Sequence, residues 1–203
     1  MVKRILTIIM MAFISLTVNL PGADAAISAA NGSRIKVAVL MDTPMVIGDD
    51  EKIKEPLLTK IQEWFPGNKY ELADFDELQI LVAEYREEND MVLYEENMKS
   101  YKPLKITDIE KIVEPIKPDL VVNLRCTAGT GKTVMTAFSV RTKINVTTNI
   151  RILDMKEKKY IQRYETTEAV GSGDIWGNSS ASRSYRKGLI KGIEGFKPDH
   201  NLY

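Results

Sequence analysis

The chain has one cysteine and one histidine in 203 residues, and each scarcity removes a class of function. A single thiol, Cys126, cannot close an intramolecular disulfide, so the fold must rest on its own apolar core. A single histidine, His200, supplies neither a His-based catalytic triad nor a multi-histidine metal site. Beyond residue 20 no long apolar run follows, so nothing downstream could cross a bilayer as a helix. Attachment of a lipid through an amino-terminal cysteine is excluded on the same count.

What is present begins with an export signal. After MVKR comes ILTIIMMAFISLTVNL, residues 5 to 20, without a charge, and then a break at Pro21 and Gly22. Ala23, Asp24, Ala25 and Ala26 follow. A cationic start, an apolar run and small residues before the cut describe a secretory signal peptide cleaved between Ala25 and Ala26. The run is shorter than the ~20 residues a spanning helix needs. The expected organisation is a signal peptide at 1–25, a flexible lead-in at 26–33, one domain at 34–196 and a loose tail at 197–203. The mature chain is expected to be soluble and exported, in the periplasm or outside the cell.

Within the domain, the apolar spacing predicts a sequence of elements. RIKVAVLM, 34 to 41, is β-branched and almost continuously apolar, as a strand buried on both faces would be. In EKIKEPLLTKIQEWF the residues Ile53, Leu57, Ile61 and Trp64 line one helical face, with Pro56 in an early turn. KYELA makes a second strand, and two parallel strands joined by a helix form a βαβ unit. A helix from about Asp76 faces Leu78, Leu81, Val82 and Tyr85 inward. Residues 89 to 103 fit no single element. Thr107 to Glu110 reads as a capping box, opening a helix with Ile109, Ile112, Val113 and Ile116 inward.

From Asp119 the period changes to two. DLVVNLRC and VMTAFSV read as strands, and Cys126, ending the first, is either a buried inert thiol or an intermolecular partner. KINVTTNIRILD puts Ile144, Val146, Thr148, Ile150 and Ile152 on one side. MKEKK is a hairpin tip, YIQRYETTEAV its return strand, and GSGDIWGNSS a loop. A last helix, about 180 to 196, turns Tyr185, Leu189, Ile193 and Phe196 inward. The expected fold is α/β (α+β): one mixed sheet in the order β-α-β-α-α-β-β-β-α, with helices packed on it.

CTAGTGKTV, Cys126 to Val134, resembles a nucleotide phosphate loop. The consensus fails by one residue, since Cys126 stands where the first glycine belongs. A β-branched run follows Thr133 where a helix should begin, so no helix amino terminus could face a phosphate. A connection between two antiparallel strands accounts for the glycines. No nucleotide, nucleic acid or other cofactor is expected. Asp49-Asp50-Glu51 lacks the spacing of a calcium loop and reads as an acidic helix start.

Charge is unevenly placed. Residues 42 to 118 carry 19 acidic and 10 basic side chains, and residues 119 to 191 carry 13 basic and 6 acidic. Opposite poles of this kind allow copies to associate, or a basic strand face to meet an anionic polymer, although solvated surface explains them too.

The stretches RIKVAVLM, KIVEPIKPDLVVNLRC and INVTTNIRILDMKEKKYIQRYETTE, followed by GSGDIWGNSSASRSYRKGLIKGI, resemble a family of small envelope α/β domains. Its members include the curli secretion protein CsgG, the penicillin-binding-protein activator LpoB and the amino-terminal domain of TolB. The likeness covers roughly residues 34 to 196. It departs in lacking a lipid-attachment cysteine and a transmembrane hairpin, so pore formation is not implied. What the resemblance implies is a non-catalytic domain that assembles with itself or docks on another envelope protein. The candidate contact is Trp176 with its neighbours Asp174 and Ile175, an aromatic held in a polar, glycine-flanked loop. Two alternatives stand beside it: a secreted hydrolase working through carboxylates, or a small-ligand binder in the loop from Asp42 to Asp50.

Overall fold

A computed structural model of the chain describes residues 34–43, 51–95, 98–129, 132–136, 139–174 and 181–201. The signal peptide with Ala25 and Ala26, and the lead-in, lie outside these. Five of the strands and all four helices follow from the sequence periods, with adjusted ends. They are β1 (Ile35–Met41), α1 (Glu51–Trp64), β2 (Tyr70–Leu72), α2 (Phe75–Glu88), α3 (Ile106–Val113), β5 (Leu120–Ala128), β7 (Ser139–Asp154), β8 (Lys159–Asp174) and α4 (Ala181–Gly195). Three further strands are β3 (Val92–Glu95), β4 (Met98–Tyr101) and β6 (Lys132–Thr136).

The main sheet is mixed and holds six strands in five positions. β1 lies between β2 and β5 and is parallel to both. β7 runs antiparallel to β5 on one edge and to β8 on the other. β6 continues the line of β5 along the same edge of β7: Ala128 faces Val146, and Lys132 faces Lys143. β3 and β4 form a separate antiparallel pair, in the region that fits no element by period.

Helices cover both faces near β1. Val37, Val39, Met41, Val122 and Leu124 point to one side, where α1 and α4 bury Leu57, Ile61, Leu189 and Ile193. Ala38, Leu40, Val121 and Leu153 point to the other, where α2 and α3 bury Leu78, Val82, Ile109 and Ile112. Each fully buried aliphatic side chain contributes about 1.5–3 kcal/mol. Trp64 meets Phe196 edge-on at 4.8 Å between ring centroids, tying α1 to the end of α4.

Five expectations change. AGTGKT does not join two antiparallel strands: β5 and β6 run in line, and Gly129 bonds across to Asn145 O at 2.8 Å, whereas Thr130 and Gly131 lie outside the described residues. VMTAFSV is two strands, its first residues in β6 and its last in β7. The capping partner of α3 is Asp108, whose carboxylate accepts the Lys105 N–H at 2.8 Å, so the helix opens ahead of Thr107. Gly171 to Asp174 belong to β8 rather than to the loop. The tail is held as far as residue 201: Tyr70 Oη and His200 Nδ1 are 3.1 Å apart, and the Asp199 N–H donates to Gln162 Oε1 at 3.0 Å.

Candidate functional site

β1 is the strand from which the chain departs in both directions across the sheet. In open α/β sheets the crevice beyond the carboxyl ends of such strands is where ligands sit. Asp42 stands there, immediately after β1, with its own N–H bonded to Leu124 O at 2.8 Å. Three segments converge on its carboxylate. Arg86, in the last turn of α2, donates through Nη2 to Oδ1. Arg125, on β5, donates through Nη1 to the same oxygen at 3.0 Å. The Leu104 N–H, between β4 and α3, donates to Oδ2 at 3.2 Å.

The cluster lies inside the protein, with Asp42 1% and Arg86 4% exposed. The Arg86 guanidinium stacks on the Tyr101 ring, Cζ 4.3 Å from the centroid. Arg125 Nη2 donates to Tyr101 O at 3.4 Å. Burial pulls Arg86 below its ordinary guanidinium value, and the charge of Asp42 opposes that shift. Arg86 Nε is buried without a hydrogen-bond partner among the described residues.

Chemically this is a clasp. Both oxygens of Asp42 are engaged, by Arg86, Arg125 and the Leu104 N–H, which leaves neither free to reach a substrate as a base or nucleophile. The clasp draws the β3–β4 hairpin onto the carboxyl ends of β1 and β5. The crevice that could admit a ligand is thereby occupied, at Tyr101 and Leu104, by the chain itself.

Cys126 lies on the opposite face, fully buried, with Sγ 3.9 Å from Thr148 Oγ1. Burial raises its thiol to about 11. Tyr185 Oη donates to Cys126 O at 2.9 Å, and burial drives that hydroxyl upward too. The thiol is a core group, inaccessible to a second chain.

Of the candidate contact residues, Asp174 is the last residue of β8, opposite Val140 of β7. Ile175 and Trp176 lie outside the described residues, as do Asp49 and Asp50. Thr133, in the phosphate-loop-like stretch, leads into strand rather than helix. Among the described residues no group of three His, Cys, Asp or Glu is placed to hold a metal ion, and no helix is long and apolar enough to cross a membrane.

The clasp arginines escaped the sequence reading, yet both leave a trace in it. The buried residues of α2 are Phe75, Leu78, Val82 and Arg86, so the arginine occupies the next position of an apolar stripe. Arg125 likewise stands within an apolar run. A charge in phase with the core needs a partner, and Asp42 ends the strand next to it.

No protein-family model matches the chain, and no curated protein matches it. Solved structures are similar to it, among them the following three. A neuraminyllactose-binding hemagglutinin homolog from Helicobacter pylori has a TM-score of 0.40 and 10% identity, over 80% of this chain and 78% of that one. Lipoprotein GNA1162 from Neisseria meningitidis has 0.38 and 16%, over 79% and 95%. The LpoB C-terminal domain from Salmonella enterica has 0.31 and 9%, over 71% and 90%. These neighbours include bacterial lipoproteins, and LpoB is one of the proteins whose order of elements this chain resembles. Scores this low carry no functional conclusion.

Proposed function

We propose that the protein is an exported, non-catalytic interaction module of the bacterial cell envelope. It acts by binding another envelope protein or a second copy of itself. The observation that carries this reading is the outer edge of β8. It is 16 residues long and pairs with β7 on one side, with Ile161 left out at a bulge, and among the described residues no main-chain group pairs with the other side. An open edge of that length is a template for a further strand. Arg163 and Glu165 stand exposed on it, so an incoming strand would meet both signs of charge. The candidate anchor Trp176 follows Asp174, the last residue of β8, by two positions in the sequence. The amino-terminal signal supports export.

The hydrolase and the ligand binder in the loop after β1 both depend on Asp42. Its engagement by Arg86, Arg125 and the Leu104 N–H favours a structural role instead.

Light scattering of residues 26 to 203 after size exclusion, at low and high salt, tests the self-association branch. A defined oligomer that dissociates in salt supports it, and a monomer at both salts removes it. The partner branch is tested with Trp176→Ala, which should weaken capture of an envelope partner while leaving the melting temperature unchanged. A variant that instead unfolds the domain would remove Trp176 as the contact.

A further inference from the structure

On the face of the sheet covered by α2 and α3, a groove of about 780 Å³ opens between these helices, the segment joining β4 to α3, and β7–β8. Its floor is apolar. Met91 and Leu104 are buried, and the half-buried Ile106 continues the surface. Tyr85 and Tyr160 line it from α2 and β8, respectively.

The rim is cationic. Lys102, Lys105 and Lys111 line it from the α3 side, and Arg151 comes from β7. The one carboxylate in the lining, Asp108, is already engaged, accepting from Tyr85 Oη at 2.9 Å and from the Lys105 N–H at 2.8 Å. Lys105, Lys111 and Arg151 make no ion pair among the described residues. Arg151 donates through Nε to Asn149 Oδ1 at 2.7 Å, and Lys102 Nζ is held by Asp90 O at 3.0 Å. Lys105, Lys111 and Arg151 therefore border an apolar floor without a carboxylate partner among the described residues, and Arg151 also lies over the Tyr160 ring, Cζ 5.6 Å from its centroid. Surface lysines alone would be ordinary. Their convergence on a concave apolar patch, whose carboxylate is already hydrogen-bonded to Tyr85 and Lys105, is not.

We propose that this groove binds an amphipathic anion: a single carboxylate or phosphate head on an apolar body. The head is drawn to Arg151 and the α3 lysines, and the body lies over Met91 and Leu104 with the two tyrosine rings beside it. The volume lies within the roughly 300–1,000 Å³ typical of sites for one small molecule. The groove takes Tyr160 from β8 but does not depend on any pairing at the outer edge of that strand.

The test uses residues 26 to 203 with two fluorescent probes that share their rings: 8-anilinonaphthalene-1-sulfonate, which carries an anionic head, and the uncharged N-phenyl-1-naphthylamine. The sulfonate should bind saturably at one per chain and lose affinity as salt rises. Lys105→Gln/Lys111→Gln, and separately Arg151→Gln, should weaken it about tenfold, which is about 1.4 kcal/mol, while leaving the uncharged probe unaffected. Lys191→Gln, on α4 and away from the groove, should change nothing. Displacement by decanoate or by decyl phosphate, whichever is stronger, assigns the head group. Thermal melts of the lysine variants should overlay the parent, since Lys105 and Lys111 are exposed, and for the half-buried Arg151 the uncharged probe reports whether the groove is intact. Absence of saturable binding, equal affinity for the two probes, or unchanged affinity in both groove variants would overturn the proposal.

Discussion

Gly192 of α4 lies directly against Thr148 of β7: a Cβ built on the glycine would stand 2.5 Å from Thr148 Cβ. One turn earlier Gly188 meets Val146 in the same way, 2.6 Å from its Cγ2, and one turn before that Ser184 is buried. Three small residues at a spacing of four make a smooth track, which lets the helix rest on the strand while Tyr185, Leu189 and Ile193 fill the space beside it. In an open helix, Gly→Ala would stabilise by about 1 kcal/mol. Here overlap wins, and Gly192→Ala should destabilise by about 1–3 kcal/mol in urea unfolding. Gly67→Ala, with nothing within 4 Å of the added carbon, should be neutral or slightly stabilising. A higher melting temperature for Gly192→Ala would mean that α4 does not lie this close.

The clasp makes a second prediction. Asp42→Asn leaves Arg86 and Arg125 facing one another without a counter-charge, and loss of one partner of a buried pair costs about 3–5 kcal/mol. Arg86→Met added to it should recover a large part of that loss, because the stranded cation goes as well. A double-mutant cycle in urea measures the coupling. Single variants that each lie within about 0.5 kcal/mol of the parent would show that the buried pair contributes nothing to the fold.

Stability should depend on alkaline pH. In the unfolded chain the Cys126 thiol titrates near its ordinary value of 9.0, and in the fold burial holds its proton to about 11. Below pH 9 both states carry the proton and stability is flat. Between 9 and 11 only the unfolded state releases it, so stability falls with rising pH, by at most roughly 3 kcal/mol. The raised Tyr185 hydroxyl adds a loss of the same sign at higher pH. Cys126→Ala should flatten the decline that begins at pH 9, and the parent thiol should be unreactive toward Ellman's reagent at pH 8 until the protein unfolds.

The layers of the fold were legible because burial imposes a period. Ile53, Leu57, Ile61 and Trp64 on α1, and the alternate residues Ile144, Val146, Thr148, Ile150 and Ile152 on β7, are all buried as their spacing requires. Where the chain breaks a period without glycine or proline, the reading failed. The step from β6 into β7 comes between Thr136 and Ser139, in an apolar run with no turn residue, whereas the two glycines of AGTGKT drew the turn to the wrong place. β3 and β4 are short, and their tip is acidic rather than alternating. The clasp was invisible for another reason. Its partners lie 44 and 83 residues from Asp42, and only the topology brings them together.

Among the described residues the β3–β4 hairpin pairs with no other strand, so its order rests on what holds its ends. The Met91 carbonyl accepts from Lys102 N–H at 3.0 Å and closes the hairpin on itself. Tyr101, through its ring on Arg86 and its carbonyl to Arg125, fastens it to the clasp. Tyr101→Ala removes the stack and keeps both arginines paired with Asp42. Hydrogen exchange should then quicken at residues 92 to 101 and stay slow in β1, β5 and β7, because the sheet core does not depend on the hairpin. Uniform acceleration across the sheet would mean that Tyr101 supports the whole domain, and unchanged exchange in the hairpin would mean that the stack does not hold it.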